Sequence, residues 1–125
     1  MHGAERPVSP YWIYRWEITM WLSSLHRITG LLLSLGAVVL AAWLIALASG
    51  PDVFASVSTI VGATWFKPLL VGWTFCFFFH LANGVRHLAW DAGYGFDQQR
   101  IRATGRLVIG VTVLATAAFS YAAIF

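Results

Sequence analysis

Three long apolar stretches, two of them without a single charge, dictate the solvent in which this chain folds. Ile28 to Gly50 contains no Asp, Glu, Lys or Arg, and Leu107 to Phe125 is a run of nineteen uncharged residues. Between them, Phe66 to Leu88 is apolar except near its ends and at one histidine, His80. A helix of about 20 apolar residues crosses about 30 Å of hydrocarbon, so each stretch is long enough to span a bilayer. Only 10% of the residues are charged and 59% are hydrophobic, whereas a soluble domain carries about 25% charge. The reading is an all-α membrane protein: one transmembrane domain over residues 1–125, a tail over 1–20, and spans near 21–49, 66–89 and 106–125.

Turn chemistry separates the spans. Gly50-Pro51-Asp52 ends the first, and Asp91-Ala92-Gly93 ends the second. All four prolines lie at or before position 68, so none disturbs the third. Asp52 to Trp65 has Val53, Phe54, Val57, Ile60 and Val61 at near-helical spacing and suits a short helix on the membrane surface. Gly93 to Arg106 is polar and reads as a loop. The first ten residues, MHGAERPVSP, lack an apolar core and read as a tail rather than a cleavable signal. Cys76 is the single cysteine, which excludes an internal disulfide; within FCFFFH it suits apolar packing.

The cations give an orientation. Arg6, Arg15 and Arg27 lie at the start of span one, and Arg86, Arg100, Arg102 and Arg106 surround the second loop. The other side has Lys67 alone. Such a bias places the N-terminus and second loop in the cytoplasm of a bacterium, or less readily in a mitochondrial matrix. Tyr11, Trp12, Tyr14, Trp16 and Trp21 suit one aromatic belt, and Trp65, Phe66, Tyr121 and Phe125 the other. A net charge of +3 is too small, beside so much apolar content, to suggest a nucleic-acid partner.

Chemistry concentrates in two phrases. In HLANGVRHLAWD, His80 lies at membrane depth, where an unpartnered imidazole is costly and marks a functional site by default. His87 follows seven residues later on the same helix face, about 10.5 Å along the axis. His80 could ligate a haem iron, with Gly84 one turn on leaving room for a flat macrocycle. Equally, it could bond to another helix with no cofactor. His87 and Arg86 are placed at the membrane surface, as interfacial anchors or as partners of haem propionates. Asp91 reads as a salt-bridge residue, with a loop cap or a contact to a peripheral subunit as alternatives. In SSLHRITG, Ser23, His26 and Arg27 are neighbours at i, i+3 and i+4. That trio could bond a quinone carbonyl or neutralise a propionate. The plainer alternative has Arg27 snorkelling to headgroups and Ser23 bonding back to its own helix. A haem with two axial histidines would need its second from another polypeptide, because only His80 is deep.

Together RPVSP, IYR, SSLHRITG and HLANGVRHLAWDAG, in this order and over nearly the whole chain, resemble the cytochrome b membrane-anchor subunits of succinate dehydrogenase, respiratory complex II. The resemblance implies a three-helix anchor that pairs with a second membrane-anchor subunit, shares haem b with it, and docks an iron–sulfur subunit and a flavoprotein subunit. It implies His80 as axial haem ligand, Ser23 and Arg27 as quinone-site residues, His26, Arg27 and His87 as propionate contacts, and Asp91 at the iron–sulfur interface. The substrate implied is ubiquinone or menaquinone, reduced at the expense of succinate; this chain performs no chemistry alone. The segment YWI at residues 11–13 departs from many relatives, which carry a histidine there. Rival readings are a fumarate reductase anchor running in the opposite direction and a haem-free structural anchor. With one deep polar residue and no polar stripe, a channel or transporter is disfavoured.

Overall fold

The computed structural model describes residues 17–125. The tail residues assigned to an aromatic belt or to orientation (Arg6, Tyr11, Trp12, Tyr14, Arg15 and Trp16) and the phrases RPVSP and IYR lie outside it. Four helices follow in order: α1 (Ile18–Ala48), α2 (Pro51–Val61), α3 (Lys67–Asp91) and α4 (Gln98–Ala123). The three long ones have the length and hydropathy of membrane spans. At about 1.5 Å per residue, the 31 residues of α1 extend well past the hydrocarbon. α1 stops at Ser49, where Gly50 adopts φ 110°, a conformation that a Cβ resists, and Pro51 starts the next helix at its first position. The short helix expected after span one is present as α2, which buries none of its residues and meets α1 edge-on through Phe54 and Trp43.

The second loop is shorter than expected. The stretch assigned to a loop over Gly93–Arg106 is a turn only as far as Asp97; α4 begins at Gln98. The Asp97 carboxylate accepts the Arg100 backbone N–H at 2.9 Å, satisfying one of the free donors of the first turn. Hydropathy marks where the lipid begins, not where the helix does, so the arginine-bearing first two turns of α4 were invisible to it.

The packing is inverted relative to a soluble bundle. Leu22, Phe79 and Val108 form a small apolar core, flanked by Ile18, Leu25, Phe75 and Ala82. The other buried positions are largely polar: Thr29, Asn83, Arg86, Thr112, Thr116 and Ser120. Large apolar side chains such as Leu31, Leu35, Val38, Leu81 and Leu114 face outward. In lipid there is no reward for hiding leucine, and helices associate through small residues and hydrogen bonds. α3 is central, packing against both α4 and α1. Gly36 of α1 lies against the Trp73 indole of α3, where any Cβ would overlap the ring.

Candidate functional site

The site is built on the seam between α1 and α3. These helices run antiparallel, and each carries a histidine followed four residues later by glycine: His26 with Gly30, and His80 with Gly84. The two motifs meet head to tail. A Cβ on Gly30 would touch His80 Cε1 at 3.0 Å, and one on Gly84 would meet His26 Cε1 at 3.8 Å. Each helix thus provides the gap that receives the other's imidazole. Sequence reasoning assigned Gly84 to a macrocycle; here the ring lying over it is His26. The repeated spacing was visible in the sequence, but its meaning depends on the helices being antiparallel and in register.

Three imidazoles stack in consequence. The His26 and His80 ring centroids are 3.9 Å apart with planes inclined by 7°. His87 lies 5.2 Å from His26, inclined by 18°, on its other side. The shared face of His80 and His87, expected from their seven-residue spacing, is therefore real, and His26 fills the space between them. Their hydrogen bonds define tautomers. His80 Nδ1 lies 3.1 Å from the His26 carbonyl oxygen and 3.4 Å from Thr29 Oγ1. A carbonyl only accepts, so Nδ1 carries the proton, and a neutral His80 keeps its lone pair on Nε2. His87 Nδ1 likewise donates to the Asn83 carbonyl at 2.8 Å. His26 Nδ1 is buried with no hydrogen-bond partner.

Ser23 and Arg27 lie one turn apart on α1, beside this stack. Ser23 is half-buried and Arg27 exposed. Neither side chain makes a hydrogen bond or ion pair with the described residues, so the back-bond from the Ser23 hydroxyl to its own helix does not form. Asp91 is exposed and has no ion-pair partner among the described residues, so the salt bridge expected of it does not form with any of them; the one ion pair there joins Arg100 and Asp97.

Arg86 differs most from expectation. It was placed at the membrane surface, but its side chain turns inward and only 6% of the residue is exposed. Its Nε donates to Thr104 Oγ1 at 3.1 Å, Nη2 to the Ile101 carbonyl at 3.0 Å, and Nη1 to Asn83 Oδ1 at 3.4 Å. The guanidinium also lies 4.1 Å above the Trp90 ring. The reason is angular: positions 79, 83 and 86 follow one face of α3, towards α4, while 80, 84 and 87 follow the other, towards α1. Arg86 thus staples α3 to α4 and takes no part in the histidine stack. Thr29 and Asn83, fully buried and bonded into these networks, were not singled out from sequence. A polar residue three positions from each histidine was the available signal.

Three helices long and apolar enough to cross a membrane, with histidines stacked in the seam between two of them and serine and arginine side chains uncommitted among the described residues, describe a membrane-embedded helical subunit with a polar site inside it. The sequence profile of the succinate dehydrogenase/fumarate reductase transmembrane subunits matches residues 3–119. A succinate dehydrogenase cytochrome b556 subunit of Rickettsia felis is 37% identical over 113 residues, covering 90% of this chain and 88% of that protein. Its counterpart in Paracoccus denitrificans is 34% identical over 117 residues, covering 92% and 90%. The mitochondrial cytochrome b560 subunit of Sus scrofa is 35% identical over 120 residues, covering 91% and 69%. The chain belongs to this family, as a cytochrome b membrane-anchor subunit of complex II with several passes through an inner membrane.

Proposed function

We propose that this chain supplies half of a haem site and half of a quinone site to a succinate:quinone oxidoreductase. His80 would hold the iron of haem b from this subunit, with a residue of a second membrane-anchor subunit holding it from the other side of the shared site. The observation that carries this reading is the bond from His80 Nδ1 to the His26 carbonyl. It leaves the ring's basic nitrogen, Nε2, without a hydrogen bond among the described residues, the usual arrangement of a metal-bound imidazole. The residues fit the group in two further respects. Gly30 and Gly84 leave the room on the facing helix that the imidazoles occupy, and His26 Nδ1 is a buried donor or acceptor without a partner among the described residues. His26, His87 and Arg27 would hold the propionates. When bound, the haem supplies a one-electron store beside the quinone.

Ser23 and Arg27 bind the quinone, ubiquinone or menaquinone. A hydroxyl and a guanidinium that are not committed among the described residues donate to its carbonyl oxygens, and those bonds strengthen as negative charge arrives on reduction. Electrons reach this point from succinate through the flavoprotein and iron–sulfur subunits, which dock on the cytoplasmic face with Asp91 at their edge. The N-terminus is cytoplasmic by the distribution of arginines. The succinate-oxidising direction is preferred to fumarate reduction because the relatives bear succinate dehydrogenase names.

A reduced-minus-oxidised spectrum of the complex purified from native membranes tests the haem assignment. A b-type signal present in wild type and lost in His80→Ala, with the partner subunits retained, is expected. An unaltered signal in the variant refutes ligation by His80, and no signal in wild type leaves a haem-free anchor.

A further inference from the structure

Thr29 is 1% exposed, and its hydroxyl touches both ends of the hydrogen bond that orients His80. It donates to the His26 carbonyl at 3.0 Å, and its oxygen lies 3.4 Å from His80 Nδ1. The same carbonyl receives His80 Nδ1–H at 3.1 Å. In an unbroken helix it also accepts the backbone N–H four residues on, that of Gly30. Three donors therefore converge on an oxygen with two lone pairs. Each takes a smaller share, and the hydroxyl, at the shortest of the two side-chain distances, weakens the bond that His80 makes.

We infer that Thr29 is a positioning residue for His80 and sets how electron-rich its imidazole is. The hydroxyl restrains the ring through the 3.4 Å contact and draws carbonyl electron density away from Nδ1–H. A stronger acceptor at Nδ1 makes the opposite nitrogen a stronger donor and favours the more highly charged, oxidised metal. Thr29 thereby holds the potential of a metal on Nε2 higher than the carbonyl alone would. Neither a buried threonine filling space nor one capping its own helix turn has that effect. The inference rests on ligation by His80, as proposed above.

The experiment is a potentiometric titration of the haem absorbance in the purified complex, carrying Thr29→Val, Thr29→Ala or Thr29→Ser. Val keeps the shape and removes the hydroxyl, Ala removes it with less bulk, and Ser restores it. The expected result is a fall in midpoint potential in Val and Ala, with Ser at the wild-type value. Should Val fail to assemble, Ala carries the same expectation. An unchanged or raised potential in the hydroxyl-free variants, or a Ser variant that behaves like Ala, overturns the role of Thr29. Those results leave ligation untouched, because that is judged separately by the loss of the spectrum in His80→Ala.

Discussion

Replacing Arg86 with Met asks what a buried cation is worth when no carboxylate answers it. The guanidinium makes two bonds to α4 and one to Asn83, and lies over Trp90. Hydrogen bonds between membrane helices average about 0.6 kcal/mol, so the two to α4 contribute about 1.2 kcal/mol. The contact with Trp90 adds about 1 kcal/mol. Removing the charge leaves Ile101 and Thr104 with their own helical partners but strips Asn83 of its acceptor bond. The Asn83 amide nitrogen has no partner already, and the residue is fully buried. Orphaning the oxygen too costs about 1 kcal/mol, the low end for a buried group because the 3.4 Å bond is already long. Against this, an unpaired guanidinium no longer has to be held away from water and counter-ion, which returns part of the loss. The net expectation for Arg86→Met is about 2 kcal/mol of destabilisation. Its cause can be isolated with Asn83→Leu, which removes the orphaned amide. The double variant should be more stable than the sum of the singles by at least about 1 kcal/mol. Unfolding of the purified complex in graded denaturing detergent, followed by helicity, measures all four proteins. Strict additivity would refute the reasoning, since the two residues would then not be parts of one buried network.

Two other perturbations test the seam and the quinone proposal. Gly36→Ala drives a methyl into the Trp73 indole and should cost about 1–3 kcal/mol, with Gly36→Ala/Trp73→Leu recovering much of it; equal stability of single variant and wild type refutes the contact. Arg27→Ala should impair quinone reduction in an assembled complex, and Ser23→Ala should raise the apparent KM for quinone. Unchanged kinetics in both variants move the site elsewhere.

How much of this was legible depended on which solvent a residue met. The spans follow from the absence of charge, which lipid enforces, and their number and order agree with the structure. Where a helix carries charge that rule is silent, so the sequence of the first turns of α4 reads as loop although Asp97 caps a helix there. The facing of α3 was half legible. Periodicity places His80 and His87 on one face, and they share it. It does not say which neighbour that face meets, nor that Arg86 and Asn83 serve the opposite neighbour. A sequence read one helix at a time gives faces without addresses. Arg86 went to the surface in that reading because an arginine near a span end usually snorkels, and the buried acceptors Thr104 and Ile101 belong to a helix not then known to begin at Gln98.

The register of α1 against α3 explains why these histidines are where they are. His26 opposite Gly84, Gly30 opposite His80 and Gly36 opposite Trp73 lie along one antiparallel seam. A slip of one turn would set His80 against His26 or Ser34 instead of the gap at Gly30, and Trp73 against Leu32 or Leu40 instead of Gly36. Lipid-facing leucines impose no register, because every lipid-exposed position is equivalent to its neighbour one turn away. Bulky rings paired with glycines do impose one, through overlap on either side of the correct fit. The same pairs that fix the helices therefore fix the direction of His80 Nε2, and the site's geometry is a by-product of how the bundle finds its alignment. It also follows that substitutions at Gly30 and Gly84 should disturb the histidine stack before they disturb the helices, since each glycine meets an imidazole and not a backbone.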